Sequence, residues 1–156
     1  QAEDGIRDHL LGLVGSEMCI RDRIHSGLTG YKEKKTLGMT LYTETYADLK
    51  HFEAPIAAFP GTRFVLCHAG ALQNEQAVRL AKNYPNVWLD IHGQGVDRVT
   101  AMIREVGADR LMYGSDWAFY PEALILVRML LATEQDLTVR RMLFSENARR
   151  FWGFSS

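Results

Sequence analysis

Short apolar runs alternate regularly with amphipathic stretches along the chain and repeat about every 25 residues. Three runs have the length and apolar content of buried strands: FVLC at 64–67, VWLDI at 87–91 and RLMY at 110–113. The stretches after them have apolar residues at helical spacing: 74–84, 96–106 and 121–131. This alternation predicts consecutive βαβ units and hence a parallel sheet with right-handed crossovers.

The flanking regions extend the same pattern less regularly. Ile24 and His25 resemble the stub of a further strand, and residues 26–43 form a polar loop that contains glycine. Residues 46–59 and 138–152 have helical patterns. The chain therefore predicts an α/β fold with about three and a half βα units and no linker between them.

Size and charge narrow the class of protein. At 156 residues the chain is long enough for one domain, and its formal net charge of −1 gives no reason to expect nucleic acid or membrane partners. No apolar run reaches the roughly 20 residues that span a bilayer. The two cysteines, Cys19 and Cys67, form neither a disulfide framework nor a CxxC motif, which favours a reduced, cytoplasmic location.

The N-terminal segment differs in origin from the rest of the chain according to its sequence. QAEDGIRD at 1–8 and LVGSEMCIRD at 13–22 resemble, codon for codon, the translations of two sequencing-adapter DNAs, in the order of a library molecule. Segments of foreign origin are excluded from fold reasoning. We therefore expect residues 1–23 to be a non-native, irregular segment and residues 24–156 to be the domain, truncated at its start.

Polar residues follow each predicted strand, where the loops of a βα barrel converge on one mouth. They are His25, His68, His92 and Asp116. Imidazole nitrogens and carboxylate oxygens bind Zn²⁺, and a catalytic zinc site keeps one position for water. Singly, each residue is better explained as a strand-end or turn residue, but their repeated placement predicts a shared site.

Other polar residues have simpler explanations. Trp88, Asp90 and His92 share one face of their strand by alternation, so Asp90 and His92 are candidates to line the site, although a structural role is the favoured interpretation. His51 lies in a helical stretch and is predicted to be on the surface. Cys67 alternates with His68 and is predicted to belong to the core rather than to a ligand set.

Three motifs give the chain a resemblance to the amidohydrolase-related (amidohydrolase 2) superfamily of metal-dependent (β/α)8 barrels. They are FVLCHAG at 64–70, RLMYGSDWAF at 110–119 and NARRFWG at 147–153, and the resemblance covers 24–153. It implies that the chain is the C-terminal half of a TIM barrel. It also implies a metal bound by an H-x-H pair on the first strand, by a histidine on the fifth and by an aspartate on the eighth.

Carried over to this chain, the resemblance implies that His25 is the fifth-strand metal ligand. Asp116 is then the eighth-strand ligand and proton acceptor, and His68 is the sixth-strand histidine that binds a second metal or polarises substrate. Asp116 and His68 are the implied catalytic residues. No H-x-H pair occurs in the sequence, so the chain lacks part of the family's ligand set.

The function implied for the intact parent is metal-activated hydrolysis of a small-molecule amide, ester or lactone. The expected cofactor is a divalent metal, Zn²⁺ or alternatively Mn²⁺, and the parent is expected to form a homo-oligomer. The alternatives are a decarboxylase of the same superfamily, with a small aromatic or unsaturated acid as substrate, and a non-catalytic α/β binding module. A metal nuclease with a similar barrel is disfavoured by the GSD motif and the lack of a basic groove.

Overall fold

The structure, a computed structural model, describes residues 21–28, 35–36, 39–40, 47–117 and 120–154. Six strands are present in this part of the chain: β1 (Arg21–Ile24), β2 (Lys35–Thr36), β3 (Met39–Thr40), β4 (Arg63–Leu66), β5 (Val87–Asp90) and β6 (Leu111–Met112). The α-helices are α1 (Glu53–Ala58), α2 (Asn74–Asn83), α3 (Val96–Val106), α4 (Glu122–Ala132), α5 (Leu137–Arg141) and α6 (Asn147–Trp152). Three 3-10 segments, Leu49–His51, Cys67–Gln73 and Ala108–Arg110, and one π-helical turn, Met142–Glu146, complete the list.

Four strands form one parallel sheet in the order β1-β4-β5-β6, and β2 and β3 form a separate antiparallel pair. Within the large sheet, each strand pairs with the strand of that sheet that follows it in sequence. Ile24 of β1 lies opposite Leu66 of β4, and Leu66 lies opposite Leu89 of β5. The sheet and the helices between its strands confirm the predicted α/β fold. Parallel order without a jump means that all four carboxyl ends lie at one edge of the sheet.

The large core lies between the sheet and its helices. Alternate strand residues such as Leu66, Leu89 and Leu111 are fully buried there against apolar stripes of α2 and α3, which include Leu80 and Met102. The spacing of these stripes is the reason that both segments are helical, since only a 3.6-residue period places such side chains on one face. The predicted helices at 74–84 and 96–106 are thus confirmed.

The opposite face of the sheet has a smaller cluster, made of one residue from each of β4, β5 and β6 together with Phe151 of α6. Those strand residues are Val65, Trp88 and Met112. Because side chains alternate along a strand, the next residues on this face include Asp90. The smaller cluster therefore underlies the edge at which the polar strand-end residues lie.

Some predicted elements differ in detail. The predicted helix at 138–152 is divided into α5, a π-helical turn at Met142–Glu146, and α6, and it ends at Gly153 in the left-handed conformation (φ 73°). The predicted helix at 46–59 is represented by the 3-10 turn Leu49–His51 and by α1, and Tyr46 lies outside the described residues. The loop predicted at 26–43 contains β2 and β3. Most of its other residues lie outside the described part of the chain.

The segment expected to be non-native and irregular overlaps the sheet at its end. Residues 1–20 lie outside the described residues, but Arg21–Arg23 belong to β1 and pair with Arg63–Val65. Residues 21–23 are therefore extended, and the expectation that residues 1–23 are non-native stays a prediction. Parallel pairing uses backbone N–H and C=O groups, so a strand edge accepts almost any extended segment beside it, and the pairing carries no information about the origin of residues 1–23.

Candidate metal centre

Two of the predicted site residues follow neighbouring strands. His25 comes directly after β1, and His68 comes two residues after β4. Their rings meet edge to face, and Nε2 of His68 lies 2.8 Å from Nδ1 of His25. His25 is exposed, whereas His68 is half-buried.

His92, which follows β5, lies at the centre of the site. Its Nε2 is in very close contact with Nδ1 of His68 and is 3.2 Å from Oδ2 of Asp116, which follows β6. The His92 side chain is only 1% exposed. Four strand-end side chains from four adjacent strands therefore form one continuous cluster.

The cluster has the composition and spacing that a divalent metal needs. One ligand atom from each of His68, His92 and Asp116 can be chosen so that all three lie within 4.8 Å of one another. With zinc–ligand distances of about 2.0 to 2.2 Å, ligand atoms in a tetrahedral site lie about 3.4 Å apart. Imidazole nitrogens and a carboxylate that face each other this closely are stabilised by a cation between them, so these residues fit a bound Zn²⁺.

The loop after β4 holds His68 in an uncommon conformation. His68, Ala69 and Ala71 all have positive φ (59°, 44° and 47°), a region that non-glycine residues rarely occupy. Gln94 Nε2 donates to the His68 carbonyl at 2.7 Å, and Asn74 Nδ2 donates to that of Ala69 at 3.0 Å. Strained backbone of this kind persists when surrounding bonds fix it, and it clusters at functional sites.

Asp116 is held in a similar way. Its φ of 51° places it in the left-handed region, directly after Gly114-Ser115. Tyr113 N donates to the Leu143 carbonyl at 2.9 Å, which ties the start of this turn to the C-terminal helical stretch. The GSD sequence is therefore a sharp turn that aims the Asp116 carboxylate at His92.

Asp90 lies behind the cluster, at the end of β5. Its Oδ1 is 3.1 Å from both the backbone N and the Nδ1 of His92, and its Oδ2 accepts a 2.8 Å hydrogen bond from Arg23. Burial favours the neutral acid, but the hydrogen bonds from His92 and the charge of Arg23 outweigh it, so the pKa of Asp90 lies below its usual value. Asp90 is therefore an ionised carboxylate beneath His92.

The electrostatics of the cluster favour neutral histidine. Burial, followed by the neighbouring His92 and His25, lowers the pKa of His68 to about 4. At neutral pH the His68 ring is consequently uncharged, with one nitrogen lone pair that is able to coordinate a metal. Metal binding requires neutral imidazole, so this shift is in the direction that binding needs.

The three residues predicted for the site, His25, His68 and Asp116, thus lie in one cluster, although their roles as ligands and catalysts remain predictions. The favoured structural interpretation of His92 missed its central position. His92 does follow its strand as His25 and His68 follow theirs, but that placement alone does not distinguish a residue of the site from a structural one. His51 is exposed, as predicted.

Cys67 is buried, as predicted, but it also borders the site. Its Sγ accepts a 3.0 Å hydrogen bond from Arg23 Nε, and burial raises the pKa of the thiol. Alternation placed Cys67 opposite His68, but strict alternation applies only to extended chain. The backbone leaves that conformation at Cys67, where the 3-10 segment begins.

The chain belongs to the amidohydrolase 2 family: the family model described as Amidohydrolase matches residues 17–154. Among the curated proteins, no match to the chain was found. Within the part of the chain that the structure describes, no helix is long and apolar enough to cross a membrane.

Several solved structures have the same fold. A zinc-bound amidohydrolase from Burkholderia multivorans is 19% identical with a TM-score of 0.54, covering 67% of this chain and 49% of its own. Amidohydrolase 2 from Bifidobacterium longum subsp. infantis is 21% identical with a TM-score of 0.56, covering 69% and 46%. The 5-carboxyvanillate decarboxylase from Sphingomonas paucimobilis is 15% identical with a TM-score of 0.61, covering 85% and 49%.

The chain spans about half the length of these three structures. Together with the four-stranded parallel sheet, this confirms the predicted fold class, a partial (β/α)8 barrel. The similar proteins include both amidohydrolases and decarboxylases, so membership of the superfamily does not by itself define the reaction.

Proposed function

We propose that this chain supplies the metal-binding second half of a barrel hydrolase that acts on a small-molecule amide, ester or lactone. The observation that carries the proposal is the convergence of His68, His92 and Asp116, whose ligand atoms lie within 4.8 Å of one another. Two imidazoles and one carboxylate are a donor set typical of catalytic zinc. His25, 2.8 Å from His68, extends the cluster toward the outer strand.

The residues of the cluster have two roles in the proposed reaction, metal binding and proton transfer. A bound divalent metal supplies Lewis-acid polarisation of a carbonyl and lowers the pKa of water to about 7. His68 and His92 would hold the ion through ring nitrogens. Asp116 faces His92 through Oδ2, and its other oxygen, Oδ1, is the group that we expect to accept a proton from the attacking water and return it to the leaving group.

Metal binding is tested by dialysis of the 156-residue chain against Zn²⁺ or Mn²⁺, removal of free metal and elemental analysis. We expect about one ion per chain, and a large loss of binding in His68→Ala, His92→Ala and Asp116→Asn. His51→Ala is the matched control, because His51 is exposed and outside the cluster. A chain that binds no metal, or equal losses in the control, would support the alternative of a non-catalytic α/β module.

A second candidate reaction is decarboxylation. It is favoured by the similarity to 5-carboxyvanillate decarboxylase, because that match covers 85% of this chain. The two reactions are separated with a full-length protein that contains this chain. Hydrolysis of an ester or lactone releases acid, which a pH-stat records, whereas decarboxylation of an aromatic acid releases CO2. Acid release without CO2 is the expected result, and the reverse would replace the hydrolase proposal.

The chain by itself is expected to bind metal without native turnover. Three ligands suffice to bind a metal, but zinc catalysis also needs a shaped, water-controlled cavity, and the family's H-x-H pair does not occur in this sequence. Metal-dependent hydrolysis catalysed by residues 24–156 alone would contradict this expectation.

A further inference from the structure

Asp90 is a buried carboxylate that the proposed chemistry does not use. Its side chain is 5% exposed, at the end of β5 and beneath the ligand cluster. Isolated carboxylates are rarely buried, because removal from water is costly unless hydrogen bonds compensate it. The groups that compensate it therefore indicate what Asp90 does.

The compensating groups come mainly from His92. Both the backbone N and the ring Nδ1 of His92 lie 3.1 Å from the same oxygen, Oδ1 of Asp90. Oδ1 of Asp90 already accepts the backbone N–H of His92, so it is an acceptor toward Nδ1 as well. Nε2 also faces a carboxylate oxygen, Oδ2 of Asp116 at 3.2 Å, but the Asp116 side chain is 29% exposed and that of Asp90 only 5%. Because solvent weakens the bond to Asp116 more than the buried bond to Asp90, the proton belongs on Nδ1. The other ring nitrogen, Nε2, then has its lone pair directed at His68 and Asp116.

A second observation concerns Gly114, the glycine of the GSD turn. A β-carbon at this position would lie 2.6 Å from Oδ2 and 2.7 Å from Cγ of Asp90. Gly114 is not among the residues with positive φ, so space rather than backbone conformation requires the glycine. The Asp90 carboxylate therefore packs directly on the turn that presents Asp116, and the oxygen nearest Gly114, Oδ1, is the one that contacts His92.

A simpler explanation is that Asp90 is only the partner of Arg23. That ion pair is 2.8 Å long, but the Arg23 side chain is 56% exposed, and solvent weakens such pairs. It also leaves unexplained why the other oxygen of Asp90 contacts His92 twice. The two explanations predict different properties of the His92 ring.

We infer that Asp90 is a positioning residue that fixes the tautomer and orientation of His92, so that Nε2 faces the His68 and Asp116 ligand atoms. The role inferred for Asp90 rests on the proposed metal site. The tautomer of His92, however, can be measured without a metal. Carboxylates that orient metal-binding histidines in this way typically strengthen metal affinity by about 10- to 100-fold.

The first experiment needs no metal and measures the wild-type chain. Long-range ¹H–¹⁵N NMR of the metal-free chain near pH 7.5 reports which ring nitrogen of each histidine carries the proton, and His92→Gln identifies the signals of His92. We expect His92 to be protonated at Nδ1 and unprotonated at Nε2. A proton on Nε2, or rapid averaging between the two tautomers, would overturn the inference.

The second experiment compares Asp90→Ala, Asp90→Asn and the control Asp97→Asn, which changes an exposed carboxylate on α3. Asp90→Ala should abolish the Nδ1 preference and weaken zinc binding by about 10- to 100-fold. Asp90→Asn should keep the preference, because the backbone N–H of His92 still requires the amide oxygen as its acceptor. Zinc affinity of folded Asp90→Ala within twofold of wild type would contradict the inference.

The outcomes also separate this inference from the proposed function. If the wild-type chain binds no zinc while His92 is fixed in the Nδ1-protonated form, the metal site fails and the positioning role stands. If zinc binds at His68 and Asp116 while the His92 tautomer is averaged, the positioning role fails and the metal site stands. Should Asp90→Ala not fold, Asp90→Asn and the wild-type tautomer still decide the question.

Discussion

Replacing Gly114 by alanine should damage both the stability of the chain and its metal site. The new β-carbon would overlap the Asp90 carboxylate, at 2.6 Å from Oδ2 and 2.7 Å from Cγ. Real β-carbons do not approach other atoms this closely, so the carboxylate must move away. Asp90 has little freedom to move, since it is buried and bonded to His92 and Arg23.

The expected cost follows from what the carboxylate loses when it moves. Overpacking a buried region costs about 1 to 3 kcal/mol, and a hydrogen bond to a charged group contributes about 1.5 to 3 kcal/mol. Alanine also restricts the unfolded chain, which offsets about 0.4 to 1 kcal/mol. We therefore expect the free energy of unfolding to fall by about 2 to 5 kcal/mol, and zinc affinity to fall because His92 loses its fixed partner.

Urea unfolding at low protein concentration, followed by tryptophan fluorescence, measures the stability change, and calorimetric zinc titration measures affinity. Gly61→Ala is the matched control, because Gly61 has no positive φ and a β-carbon there meets nothing within 4 Å. The control should be neutral or slightly stabilising. If Gly114→Ala were as stable as Gly61→Ala and bound zinc equally well, the packing of Asp90 on the GSD turn would be refuted.

Three further predictions concern the rest of the chain. The chain alone should self-associate through the exposed apolar residues of α4, which are Leu124, Leu126, Val127, Leu130 and Leu131. Changing three of them to glutamine should shift sedimentation toward monomer, whereas Leu137→Gln should not. Because the folded pKa of His68 is about 4, below its unfolded value, the stability that neutral His68 contributes is complete above about pH 6.5 and is lost as pH falls toward 4. Because solvent screens the half-exposed ring, we expect the free energy of unfolding to fall by about 1 to 2 kcal/mol over this pH range. If the metal-free His68→Gln chain lost as much stability over the same range, the assignment of the loss to His68 would be wrong. Asn147→Ala should cost about 2 to 3 kcal/mol, since its buried amide donates to the carbonyls of Ala108 and Leu111 at 2.6 and 2.7 Å, while the exposed Asn83→Ala should be nearly neutral.

The fold was predictable because its signals are local. The helical stripe at 96–106 and the apolar run at 64–67 each occur within one segment, and their alternation specifies parallel order. The division of the last helix was not predictable in this way. It depends on a π-helical turn at Met142–Glu146, which lies where Leu143 is buried against the core and accepts from Tyr113.

The site was predictable in position but not in full membership. The rule that strand ends converge placed His25, His68 and Asp116 together, but it does not say which of several strand-end residues faces inward. For His92 the deciding interactions are long-range or depend on conformation: the contact with Asp116 and the positive φ of Asp116 itself. No pattern within one segment of the sequence contains that information.

Metal binding and turnover should be separable in this chain because of where the ligands lie. His68, His92 and Asp116 follow β4, β5 and β6, which pair directly with one another, so their spacing is fixed by backbone hydrogen bonds within the sheet. The core that holds these strands against α2 and α3 contains most of the buried apolar residues, whereas the face beneath the site has only four in its cluster. The geometry of the three ligands thus depends on contacts that the described chain makes itself. Substrate enclosure, by contrast, requires walls on the other side of the site, and among the described residues the four strands of the sheet do not provide them.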